Sequence, residues 1–130
     1  MNSNFGFGKS VELSFDDAIE TVTTELQKEG FGVLSEIDVA AKMKEKLGKD
    51  MPPYRILGAC NPALAYQAIQ AVEDIGLLLP CNVLVREDNA GTVHVDFMDP
   101  KSVLSLVDDP GVAPLADEVK AKLQRVLAAL

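Results

Sequence analysis

The chain has 130 residues, of which 48% are hydrophobic and 25% charged, and its formal net charge is -8. That length fits one domain, and the aliphatic content can fill a core without disulfides or metals. So acidic a chain, with no basic stripe, no Trp and 5% aromatic residues, repels phosphate backbones and lacks a base-stacking platform, so nucleic acid is excluded as an expected partner.

The first ten residues, MNSNFGFGKS, lack the positive start and apolar middle of a signal peptide. The longest apolar stretch, IGLLLPCNVLV (75–85), is broken by Pro80 and Asn82 and is too short to span a bilayer. No membrane partner is expected. With only two cysteines, the reading is a reducing, cytoplasmic setting with both thiols free.

In chain order, FGFGKSVELS alternates as a strand, with Phe5, Phe7, Lys9, Val11 and Leu13 on one face. Ser14 and Asp17 then form a capping box for a helix to about Glu29, whose apolar stripe is Phe15, Ala18, Ile19, Val22 and Leu26. Gly30 stops it. FGVLSEIDV (31–39) reads as a second strand. Asp38 caps a short helix carrying Val39, Met43 and Leu47, which ends at Gly48. YRILGAC (54–60) reads as a third strand. Asn61 is a good N-cap and Pro62 suits the first helical position of a helix over 62–75, with Ala65, Ala68, Ile69, Val72 and Ile75 facing inward. CNVLVRE (81–87) and TVHVDFM (92–98) read as a hairpin around DNAG. Asp99-Pro100 opens a short helical turn. A last helix from about Pro114 buries Leu115, Val119, Leu123, Val126 and Leu127. The sum is a single α+β domain with a sheet of about five strands packed with helices.

Both cysteines precede an asparagine and lie within two residues of a proline, in LGACNP and LLPCNV. Cys60 stands just before a helix N-cap, where unpaired amides and the helix dipole favour negative charge; a thiol there can become a nucleophile with a lowered pKa. Tight packing by a small residue is the plainer reading of Cys60 and Cys81, and capping alone explains Asn61 and Pro62. If the strands flanking the helix run parallel, the two thiols lie at opposite strand ends; if antiparallel, they lie at the same end. No C-x-x-C or H-E-x-x-H spacing is present, and neither a metal nor a cofactor is expected.

Arg55, Arg86 and His94 come from different strands. Together on one face they would suit an anionic ligand; otherwise they balance Glu36 and Asp96, the plainer reading. Asn61 and Asn82 complete the candidate ligand-binding set. A general base at His94 oriented by Asp96 is disfavoured, since residues two apart on a strand are nearly 7 Å apart. GFGKS (6–10) lacks the first glycine of a phosphate loop, and one histidine without G-x-S-x-G supports no serine triad.

The combination of Gly58, Cys60, Asn61 and Pro62 with Leu79, Pro80 and Cys81, set within residues 15–99, resembles the domain of unknown function 302 family. The resemblance implies a compact α+β domain similar to the TATA-binding-protein-like group, with a mainly antiparallel sheet and helices mostly on one face. It also implies a homodimer, and it places Cys60 and Cys81 at the same end of neighbouring strands. It carries no catalytic roles. The expected function is a non-enzymatic binding or assembly module forming a homodimer, with a small ligand or protein as possible partner. The alternative is a thiol-dependent redox or sulfur-handling protein using Cys60 and Cys81.

Overall fold

Strand alternation decides which side chains meet the helices, and the computed structural model, which describes residues 2–130, shows the outcome. The elements are β1 (Gly6–Val11), α1 (Phe15–Lys28), β2 (Gly32–Asp38), α2 (Val39–Leu47), β3 (Tyr54–Cys60), α3 (Pro62–Ala71), a 3-10 turn (Ile75–Leu78), β4 (Cys81–Glu87), β5 (Val93–Met98), α4 (Pro100–Leu104) and α5 (Ala113–Ala128). The strands form one antiparallel sheet in the order β1-β5-β4-β3-β2. The α+β class and the strand number agree with the sequence reading, and the antiparallel sense is the one the family resemblance implies.

Phe7 on β1, Leu57 on β3, Val83 and Val85 on β4, and Val95 and Phe97 on β5 share one sheet face with Ala18, Val22 and Leu26 of α1 and Val119, Leu123 and Val126 of α5. Fully burying each such aliphatic or aromatic side chain contributes roughly 1.5–3 kcal/mol. Phe7 and Phe97 stack with centroids 5.7 Å apart. A smaller cluster of Ala68, Ile75, Leu104, Val112 and Ala116 fills the space between α3, the 3-10 turn, α4 and α5.

The other sheet face has its own order. Register sets Ile37, Ile56, Leu84, Asp96 and Gly8 in one row, and Tyr54, Arg86, His94 and Ser10 in the next. Asp96 is 6% exposed although it lies on this face. It sinks against β1 because position 8 has no side chain: a Cβ there would fall on Asp96 Oδ1. Arg86 Nε donates to Asp96 Oδ2 at 3.3 Å, while Oδ1 has no hydrogen-bond partner among the described residues.

Helix caps follow the sequence. Ser14 Oγ accepts from Asp17 N at 3.1 Å, and Asp38 Oδ1 accepts from Ala41 N at 2.9 Å. The hairpin turn is held by Asp88 Oδ1, which accepts from the backbone N–H groups of Ala90 and Thr92.

Three expectations are corrected. The strand begins at Gly6 and ends at Val11, leaving Phe5 62% and Leu13 36% exposed outside it. The helix expected over 62–75 stops at Ala71, with Val72 extended (φ -142, ψ 105) and Ile75 reaching the core through the 3-10 turn. Stopping there keeps Glu73 and Asp74 out of a helix C-terminus, where the dipole disfavours acids. Ile69, expected to face inward, is 41% exposed. Among the described residues no helix is long and apolar enough to cross a membrane.

Candidate functional site

The stretch LGACNP runs off the end of β3 into α3, and each of its residues has a physical task. Leu57 is fully buried in the main core. Gly58 leaves room for two neighbours, since a Cβ there would fall on Ser35 Oγ and lie 2.9 Å from Pro80 Cγ. Ala59 is a small core residue directly opposite Cys81 on β4. Asn61 caps α3: its Oδ1 accepts from Leu64 N at 3.3 Å, and its Nδ2 donates to the Glu29 carbonyl at 3.4 Å. Pro62 is at the first helical position, where its missing N–H is no loss.

Because β3 and β4 are antiparallel neighbours, the chain leaves the sheet at Cys60 and re-enters beside it at Cys81. The excursion through α3 and the 3-10 turn therefore returns to the strand end it left. Between that excursion, the strand ends and α5 lies a pocket of about 410 Å³. Its wall is built from Phe31, Ala59, Leu64, Leu104, Leu115 and Val119. Leu34 and Ile69 also line it and are 69% and 41% exposed, which puts them at the mouth. The pairing of β2 with β3 shifts register between Val33 and Ser35, and this bulge accommodates Leu34.

Cys60 and Cys81 both line the pocket, and both are free thiols. Burial pushes the Cys60 thiol up, and pushes Cys81 up to about 11, with Cys60 nearby adding to the rise. The nucleophile reading called for a lowered Cys60 value; the shift runs the other way, because apolar neighbours remove water from both thiols. Two thiols held neutral are weak nucleophiles near pH 7. Among the described residues no cluster of three or more His, Cys, Asp or Glu could hold a metal ion.

The remaining candidates divide between other surfaces. Asn82 lies opposite Gly58 on the open sheet face and is exposed, so the two Cys-Asn pairs share their cysteines but not their asparagines. Arg86 and His94 are direct cross-strand neighbours on that face. Arg55 lies on the opposite face, because it is register partner to Val85; its guanidinium is 5.4 Å from the Phe15 ring centroid and pairs with Glu36 and Asp38 at 3.0 and 3.3 Å. The three basic residues thus form no common site. Arg55 with Glu36 and Arg86 with Asp96 form the balancing pairs expected from the sequence. His94 is not oriented by Asp96: its Nε2 meets Asp88 Oδ2 at 2.8 Å, across the hairpin turn. The hydrogen bond from His94 holds the Asp88 carboxyl below the usual carboxylate range.

Sequence reasoning found Cys60, Asn61 and Cys81 but not the rest of the pocket. Leu104, Leu115 and Val119 come from chain far beyond the motif, and their apolar spacing reads only as helix core. Leu34 and Ser35 depend on a bulge that strand alternation does not reveal.

The fold and pocket together define a class: a small α+β domain with an antiparallel sheet, one covered face, and an apolar pocket at the end of the central strands. The model of the family "Domain of unknown function DUF302" matches residues 7–130, and the chain belongs to that family. The match extends beyond the stretch 15–99 that carries the sequence resemblance. A solved structure described as an uncharacterized conserved protein DUF302 from Bacillus stearothermophilus is 30% identical, covers 98% of each chain and superposes with a TM-score of 0.89. No curated protein matches.

Proposed function

We propose that this protein is a non-enzymatic binding module that holds a small molecule in the pocket between Cys60, Cys81, α3 and α5. The observation that carries this reading is the pocket itself: about 410 Å³ of concave, mainly apolar space with few polar atoms, the usual build of a small-ligand site. The test is a fragment screen read by methyl NMR. Fragments that shift the Leu64, Leu115 and Val119 methyls together support the reading. A diverse library that leaves all three unmoved sinks it.

The module also pairs with a second copy through the open sheet face. Ile37, Ile56 and Leu84 form an apolar row there, and Ile37 is 48% exposed. The charges beside the row pair within the chain, Arg86 with Asp96 and His94 with Asp88, so two such faces meet without strong local repulsion. The two free thiols support a reducing, cytoplasmic setting. The thiol-chemistry alternative is less favoured, because burial pushes both thiols away from the thiolate form.

A further inference from the structure

Charge is what the pocket wall lacks. Among the described residues its lining contains no Asp, Glu, Lys, Arg or His. Its polar groups are Ser35, Asn61 and the two thiols. Both ends of the Asn61 amide are engaged, one with Leu64 N and the other with the Glu29 carbonyl. Ser35 is exposed and stands at the rim, on the same strand-end side as Cys60. An ionised group drawn into this space would lose its water and gain no counter-charge, a heavy penalty. The chain's net charge of -8 adds to that penalty for an anion.

Size narrows the ligand further. At roughly 30 Å³ for each water-sized group, a pocket of about 410 Å³ holds about a dozen non-hydrogen atoms. The buried wall offers carbon surface from Leu104, Leu115 and Val119, and the thiol of Cys81. The rim offers a hydroxyl and a thiol.

Resting on the small-molecule reading above, we propose that the pocket takes an electrically neutral, mainly aliphatic molecule with one polar end at Ser35 and Cys60, of the class of a medium-chain alcohol, and rejects the matching carboxylate. A carboxylate of equal chain length has the same apolar surface to bury, so discrimination between the two reports on the wall's lack of charge alone.

The experiment titrates the full chain with 1-decanol and, separately, with decanoate at about pH 7.5, where the acid is ionised. Methyl NMR locates each ligand and thermal melting reports stabilisation. The expected result is that decanol shifts the Leu64, Leu115 and Val119 methyls and raises Tm, while decanoate binds at least about tenfold more weakly. Ala65→Phe, which fills the pocket from α3, abolishes the decanol shifts. Should that variant fail to fold, Leu34→Asn at the exposed mouth weakens decanol binding instead. Decanoate binding as tightly as decanol at the same methyls overturns the neutral-ligand proposal and leaves the pocket reading standing. Neither compound shifting those methyls, or neither variant weakening the decanol shifts, overturns the pocket reading as well.

Discussion

A methyl group at position 58 would collide with Ser35 Oγ and Pro80, so Gly58→Ala requires the Ser35 hydroxyl to rotate away and the Pro80 ring at the β4 entry to shift. Overpacking of this kind costs about 1–3 kcal/mol. Urea denaturation of the variant should show a loss in that range, and a change below about 0.5 kcal/mol would show that the two neighbours yield freely. Gly8→Ala, on the edge strand β1, sets a harder conflict, against the Val95 carbonyl and the Asp96 backbone as well as the Asp96 carboxylate. Cys81 gives a pH test. Its thiol is raised from an ordinary 9.0 to about 11, so the folded state holds the proton more tightly than the unfolded state. The stability this provides is complete below pH 9.0 and is lost as pH rises toward 11, on the order of 2 kcal/mol in all. Equilibrium unfolding of the protein and of Cys81→Ala across that window should diverge, with the steeper decline in the natural chain. The capping roles of Asn61 and Pro62 were legible in the sequence because a cap is a local matter. The direction of the thiol shifts was not, because it depends on Phe31, Leu64 and α5 closing around the strand end.

At the scale of elements, Asp99 joins two helices. Its Oδ1 accepts from the backbone N–H of Lys101 and Ser102, capping α4, and its Oδ2 accepts from Lys120 Nζ of α5 at 2.9 Å. Burial acts to raise this carboxyl, but the Lys120 bond and the two amides outweigh it and hold it below 3.8. The resulting stability is therefore present above pH 3.8 and disappears as pH falls through the depressed value. Asp99→Ala should cost about 1–3 kcal/mol at neutral pH, combining a lost cap with a lost charged hydrogen bond. Acid titration of the variant's stability should be flatter than that of the parent. The sequence placed a helical turn at Asp99-Pro100, since Asp before Pro is a local signal. It could not pair Asp99 with Lys120, twenty-one residues on, because that pairing exists only after α5 folds back over the chain. The same gap explains α3: apolar spacing continued through Ile75, and only the packing of Ile75 against Leu104 and Val112 shows that a turn, not a helix, delivers it.

For the whole molecule, the order of strands and helices was legible from alternation, caps and turn residues. The sense of the β3–β4 pairing was not, since residues 61 to 80 could have crossed over to a parallel strand. The proposed dimer is tested at this scale. Ile56 is at the centre of the apolar row on the open face, between Ile37 and Leu84, so Ile56→Glu should convert a dimer to a folded monomer in sedimentation velocity. A natural chain that already sediments as a monomer at tens of micromolar would remove the assembly reading and leave the pocket untouched.

The sheet order has a consequence for how the chain assembles. β2–β3, β3–β4 and β4–β5 each join strands consecutive in the chain, whereas β1, the first strand, pairs with β5, the last. During synthesis β1 is made first but has no partner until Met98 has left the ribosome. Closing so long a loop carries more entropy loss than any neighbouring pair. β1 is therefore the last strand to lock and the first to open. Native-state hydrogen exchange should reach the Gly6–Val11 amides that bond to β5 well before those shared by β3 and β4.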